Sequence, residues 1–412
     1  NFTNTILSTY GTEYYQKATH GEGFVRGFFN VIKAATTGTG SALQRMFITG
    51  VSPVTMDDVT SGFNIGTNIT TDPWFNDLVG FSEAELREML TYYKEQGVLM
   101  QTVDETIVMM KPNYDNYCFS EEKLAQCMFN SDMALYFMKS FVLHHVKPKE
   151  IVDPNIRTDF NKLAYLIRLD HGLGENFSVI KEIAEQGEIT TDIATHFSAL
   201  EMTDVRNFKS LLFYFGLLSI KGVDMVGRPI LHVPNLVVRE QLFSFLIRGY
   251  IKHDIFKIDM NRMTMLFENM AFRGDWKPLF NFIAEAIREQ SRIREYIEGE
   301  AHIKGFLLAY LGMYRYYQLY PEYELNKGFA DFLFKPSPSV PVMPPLTYLL
   351  EVKYAKAGTS EKEIRALADE AREQLLRYSQ DELVAEAKAK GGLKLITIVW
   401  CSWELVLLEE VL

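Results

Sequence analysis

Cysteine is scarce in this chain: three in 412 residues, at Cys118, Cys127 and Cys401, none in a CxxC or Cys/His pattern. Such spacing builds neither a disulfide framework nor a zinc site, and it suits a reducing compartment, so a cytoplasmic location is expected. Long apolar runs are missing as well. No stretch approaches the roughly 18 to 20 residues that a membrane helix requires, and the first residues lack a basic segment followed by an apolar one, so neither a membrane partner nor an export signal is expected. Basic residues are in deficit: 42 Lys and Arg stand against 53 Asp and Glu, a formal net charge of -11. Phosphate contacts come from Lys and Arg, so this balance excludes a surface coated for nucleic acid and leaves room only for a local basic groove.

What is present is the composition of a globular protein, 47% hydrophobic and 23% charged. The length exceeds what one core usually holds, so about two to four domains are expected. The chain opens at Asn1 in the polar stretch NFTNTILSTYG, with no preceding strand, as if it began partway through a longer protein.

In the first region an aromatic helix-like run, 24–33, precedes a Gly/Thr-rich loop, 36–41. That loop lacks the GxxxxGK[ST] order in which backbone amides cradle phosphate and a lysine reaches it, so turn chemistry accounts for it better. The string RMFITGVS then has the apolar run of a buried parallel strand ending at Thr49-Gly50, where such strands deliver polar side chains to a ligand edge. With its surroundings, FITGVSPVTMDDVTSGFNIG and GFSEAEL, this region resembles the second half of a bacterial AAA-ATPase-like domain. By that resemblance Thr49 would be a sensor of the nucleotide's terminal phosphate; as plain sequence it is equally an ordinary strand end. The family's P-loop and Walker B motifs are not in this chain. ATP is therefore expected as a ligand only of a longer form that has them, and no ATP hydrolysis is expected here. The resemblance also implies a protein partner or oligomer through the AAA-like region.

Residues 91–255 read as mostly helical, with apolar residues three and four apart, as in Phe137 with Phe141 and Leu163 with Leu166. The stretches NYDNYCFS and NSDMALYF resemble the same family's lid, and their aromatics read as packing. FKSLLFYFGLLSI, GVDMVGRP and ILHVPN then suggest helix, strand, strand, helix, an order that resembles a winged helix. Lys209, Lys221, Arg228 and Arg239 would be its phosphate contacts, although their scatter fits intramolecular packing better. His144-His145 cannot share a helix face as an i, i+4 pair does, and Asp170-His171 has no nucleophile motif to serve, so neither pair is assigned chemistry.

The C-terminal stretch is the most informative. Ile303, Leu307, Tyr310, Leu311 and Tyr314 mark an amphipathic helix from Glu300 to about Tyr317. Strands at 323–325 and 329–334 follow, joined at Asn326-Lys327-Gly328, where Asn and Gly supply positive φ cheaply. Asp331 lies in the second. After a Pro-rich loop, 336–345, the run TYLLEVK alternates: Tyr348, Leu350 and Val352 share one face, and Leu349, Glu351 and Lys353 the other. A capping box, Ser360 with Glu363, opens a helix carrying Gln374 and Tyr378 on one face. LKLITIVW and ELVLLEEV close the unit as strands.

The order α, β, β, β, α, β, β, with Asp on one strand and ExK on the next, resembles the PD-(D/E)xK nuclease family in the version fused to AAA-ATPase-like domains. The resemblance implies that Asp331, Glu351 and the Val352 carbonyl ligate Mg²⁺ or Mn²⁺. Lys353 would act beside the attacking water, Glu300 and Gln374 would assist, and DNA or RNA would be the partner. Ala330 stands where the motif has proline. The fold expected is thus multi-domain α/β and α: a partial AAA-like α/β region at 1–90, a helical and winged-helix middle at 91–255, and a restriction-endonuclease-like α/β core at 256–412.

Overall fold

The computed structural model describes residues 2–37, 39–50, 66–144, 148, 152, 175–198, 201–252, 257–290, 297, 299–337, 340 and 342–411. They divide into two units: Asn1–Val179 with Glu188–Val238, and Ile180–Gly187 with Arg239–Leu412. His145, Leu163, Leu166, Asp170, His171 and the segment 51–65 lie outside the described residues.

The first unit opens with helices α1 (Phe2–Thr19) and α2 (Phe24–Thr36). The strand expected in RMFITGVS is not seen in its described residues: 45–50 have no regular structure, and Phe47 and Ile48 are exposed. A buried parallel strand exists only between neighbours that bond both its edges, and no described strand pairs with this one. Its apolar run is therefore not enough to make it a strand.

Helices α3 (Glu83–Glu95) and α4 (Val103–Tyr114) each begin at a capping box, Ser82 with Glu85 and Thr102 with Glu105, which satisfies amides that the first turn leaves unbonded. With α5 (Ser131–His144) they bury Leu86, Leu90, Met110, Tyr114, Phe137 and Phe141 in one cluster. The aromatics of the two lid-like stretches thus pack the core, Tyr114 edge-on to Phe137. A short antiparallel bridge, Tyr117 with Met128, sets Cys118 opposite Cys127; both are free cysteines, Cys118 Sγ donating to the Ser120 carbonyl at 3.1 Å and Cys127 Sγ to the Leu124 carbonyl at 3.4 Å.

After α6 (Glu175–Gln186) come β1 (Glu188–Thr190), α7 (Val205–Tyr214), β2 (Ser219–Val223), β3 (Pro229–His232) and α8 (Leu236–Lys252). The expected helix, strand, strand, helix order is present, and β1 adds a third strand in the order β1-β3-β2.

In the second unit, helices α9 (Met260–Arg273), α10 (Lys277–Glu289) and α11 (Glu300–Leu311) precede a five-stranded sheet. Its strands are β4 (Tyr317–Leu325), β5 (Gly328–Pro336), β6 (Thr347–Ala355), β7 (Leu393–Cys401) and β8 (Glu404–Val411), side by side in that order. Only β6 and β7 are parallel. A parallel pair needs a crossover, and α12 (Glu361–Tyr378) supplies it, followed by the short α13 (Glu382–Ala389). On the α12 face Leu333, Leu349, Leu375, Tyr378 and Leu395 share one cluster. On the other face the Tyr348 hydroxyl donates to the Met270 carbonyl of α9 at 2.7 Å.

Two expectations are corrected. The helix from Glu300 stops at Leu311, and Tyr317 already belongs to β4; aromatics such as Tyr314, stacked on Phe267 at 4.3 Å, continue the apolar pattern past the helix end. In the β4–β5 turn the positive φ angles fall on Asn326 (43°) and Lys327 (63°), not on Gly328. Gly328 is needed for space instead, since a Cβ there would lie 2.7 Å from the Tyr378 ring.

Candidate functional site

Strand β6 is buried along nearly its whole length, and its charged side chains are Glu351 and Lys353. Strand alternation turns both to the α12 face, beside Leu349 of the cluster there. The β5–β6 ladder pairs Phe334 with Tyr348, Leu333 with Leu349 and Phe332 with Leu350, then ends. One further step would set Asp331 opposite Glu351. Instead the strands part, and the Val352 N–H donates to Asp331 Oδ2 at 2.6 Å. The acids from two strands therefore meet where the sheet opens.

Both are almost fully buried, Asp331 at 4% and Glu351 at 3% exposure. Burial pushes both carboxyl groups above the carboxylate range, and for Glu351 the neighbouring Asp331 charge pushes further. Lysines offset this only in part. Lys353 Nζ lies 3.3 Å from Glu351 Oε1 and 3.3 Å from Glu370 Oε1 on α12. Lys304, on α11, holds Asp331 Oδ1 and also reaches Glu300 Oε1 at 2.9 Å and Glu322 Oε1 at 3.2 Å. Burial alone would lower the Lys304 ammonium's pKa; Asp331 and Glu300 outweigh it and raise it. Glu351 Oε2, Gln374 Oε1 and Thr397 Oγ1, all buried, have no hydrogen-bond partner among the described residues. Thr397 stands opposite Glu351 in the β6–β7 register.

Comparison with known families agrees with this geometry. Residues 298–410 match the PD-(D/E)XK nuclease superfamily. The C-terminal domain is thus similar to that superfamily over this stretch. The mixed sheet of the PD-(D/E)XK domain fits a restriction-endonuclease-like core. Residues 1–60 match a family described as a predicted AAA-ATPase, so the chain joins an AAA-like N-terminal part to a C-terminal nuclease-superfamily domain. No curated protein and no solved structure matches the chain.

Within the PD-(D/E)XK domain, Asp331, Glu351 and Lys353 come together as the sequence suggested, and Glu300 joins them through Lys304. Sequence reasoning missed Lys304, Glu322 and Glu370. Lys304 was legible as the i+4 partner of Glu300; Glu322 and Glu370 carry no local signal. Among the described residues no group of three His, Cys, Asp or Glu side chains is placed to hold a metal ion. The oxygen donors that are there, two buried carboxylates with one oxygen orphaned, still suit a hard cation that needs one or two carboxylates and fills its remaining positions with water and phosphate.

Outside this domain, Thr49 is exposed on an irregular segment of the other unit. Of the four basic residues expected near phosphate, three are engaged within their own unit. Lys221 pairs with Glu188 at 2.5 Å and Arg228 with Asp224 at 2.8 Å. Arg239 donates to the Leu319 carbonyl at 2.8 Å and lies over the Tyr320 ring. No helix among the described residues is long and apolar enough to cross a membrane.

Proposed function

We propose that the PD-(D/E)XK domain is a Mg²⁺- or Mn²⁺-dependent phosphodiesterase acting on DNA or RNA. The observation that carries this reading is the pair of buried carboxylates, Asp331 and Glu351, at the opening of the β5–β6 ladder with Lys353 beside them. Asp331, Glu351 and the Val352 carbonyl would hold the ion. When bound it supplies acidity to water and offsets the negative charge that builds on phosphate. The chain's own groups do the rest. The Lys353 ammonium, partly buried and a hydrogen-bond donor only, orients a water and neutralises phosphate charge from one side. Gln374 Oε1, which has no partner among the described residues, accepts a hydrogen bond from that water. Glu300 acts through Lys304. Nucleotide control through the AAA-like part belongs to a form that has a P-loop; Thr49 would be its sensor.

The test is cleavage of several DNA and RNA substrates with Mg²⁺ or Mn²⁺ by the chain, Lys353→Ala and Asp331→Ala. Cleavage lost in both variants is expected. Equal activity in all three sinks the assignment.

A second reading, a non-catalytic nucleic-acid or protein interaction module on the same scaffold, is favoured by one observation: the Lys304 ammonium already sits on Asp331. Calorimetry separates the two, because only the enzyme reading requires metal binding that depends on Glu351.

A further inference from the structure

Strand β4 has a fault at one residue. Pro321 pairs with Phe332 and Tyr323 with Ala330, but Glu322 and Asp331 between them do not pair. Glu322 has φ 44°, left-handed backbone inside a strand. For a residue with a Cβ that conformation costs about 1–2 kcal/mol, and such strain persists only where its surroundings over-determine it. At this fault the Glu322 carboxylate lies 3.2 Å from the Lys304 ammonium that also holds Asp331.

Resting on the nuclease reading above, we propose that Lys304 is a positioning residue with two seats. Without metal its ammonium occupies Asp331 and serves as that carboxylate's counter-ion. When a divalent cation takes Asp331, the ammonium is carried by Glu300 and Glu322, already 2.9 and 3.2 Å away. The side chain has to travel only between groups it now touches, and no charge is stranded in the buried site. Glu322 thus sets how readily Asp331 is released to metal, from a residue whose backbone is left-handed at φ 44°.

The alternative is plain electrostatics, in which removing any nearby anion weakens metal binding and removing any cation strengthens it. A double-mutant cycle on the full chain tells them apart, with Mn²⁺ affinity read by electron paramagnetic resonance. Glu322→Gly removes the second seat and relieves the strain, so it raises the melting temperature while weakening Mn²⁺ binding about tenfold, the usual scale for an outer-shell partner. Lys304→Met removes the competitor and tightens binding by a similar factor. In the Lys304→Met background, Glu322→Gly then changes affinity by less than about twofold, because its effect runs through Lys304. An equal loss in both backgrounds overturns the proposal, as does a Glu322→Gly variant that melts higher with unchanged affinity. If Lys304→Met fails to fold, that second comparison still decides. No Mn²⁺ binding to wild type or either variant overturns it together with the metal-dependent nuclease reading. Mn²⁺ binding that follows the cycle without cleavage of any nucleic acid leaves the two-seat device standing and defeats the nuclease reading alone.

Discussion

Replacing Glu351 by Gln should stabilise the metal-free protein at alkaline pH and leave it unchanged at acid pH. The Glu351 carboxyl is pushed from 4.5 up to about 7, first by burial and then by the Asp331 charge. A carboxyl raised in the folded state favours folding below its unfolded value, and that contribution is lost as pH rises through the folded value. At about 1.4 kcal/mol per unit, ionising Glu351 at pH 8 costs the fold roughly 3–4 kcal/mol. Gln has nearly the same shape and no charge, so it escapes that cost but leaves an amide donor to satisfy, worth about 1 kcal/mol. The net gain at pH 8 is about 2–3 kcal/mol, or roughly 4–12 °C in melting temperature for a unit of this size. At pH 5, just above the unfolded value, the cost has fallen to about 1 kcal/mol, the amide penalty cancels it and the gain vanishes. Thermal melts in EDTA, followed by tryptophan fluorescence, report mainly on the second unit, which contains Trp276, Trp400 and Trp403; Trp74 of the other unit is already 88% exposed. Added Mg²⁺ should raise the wild-type melting temperature at pH 8 and not that of Glu351→Gln. A variant that melts below wild type at pH 8 in EDTA, or gains equally at pH 5, refutes the reasoning.

Three further outcomes are expected. Lys353→Ala should reduce cleavage by about a hundredfold or more, as the loss of a preorganised charge at phosphate does, while circular dichroism stays unchanged. Tyr348→Phe removes the buried bond to the Met270 carbonyl and should cost about 1–3 kcal/mol in stability, read as a lower melting temperature with Mn²⁺ affinity intact. Arg239→Met should lower the melting temperature by freeing the Leu319 carbonyl and uncovering Tyr320. The salt dependence of nucleic-acid binding should not change with it, since a lost phosphate contact would reduce the slope by about 1.

The sequence by itself determined what depends on residues close in the chain. Alternation along TYLLEVK puts Glu351 and Lys353 on one face, because the strand period is two, and the Ser82, Thr102 and Ser360 boxes start helices because each needs only three residues. The order of elements from Glu300 onward followed from the same local signals. Partners far apart in sequence were decided only by the tertiary structure. Whether RMFITGVS becomes a strand depends on neighbouring strands, and no strand among the described residues pairs with it; Cys118 lies opposite Cys127 only because Tyr117 pairs with Met128. At the candidate site, residues 21 apart in sequence share a hydrogen bond, the Val352 N–H donating to Asp331, because the β5–β6 ladder ends one pair early. Lys304 rests on Asp331 and also reaches Glu322, a left-handed residue, for reasons that no local pattern records. Local periodicity fixes which way a side chain points; only the packed sheet fixes what it points at.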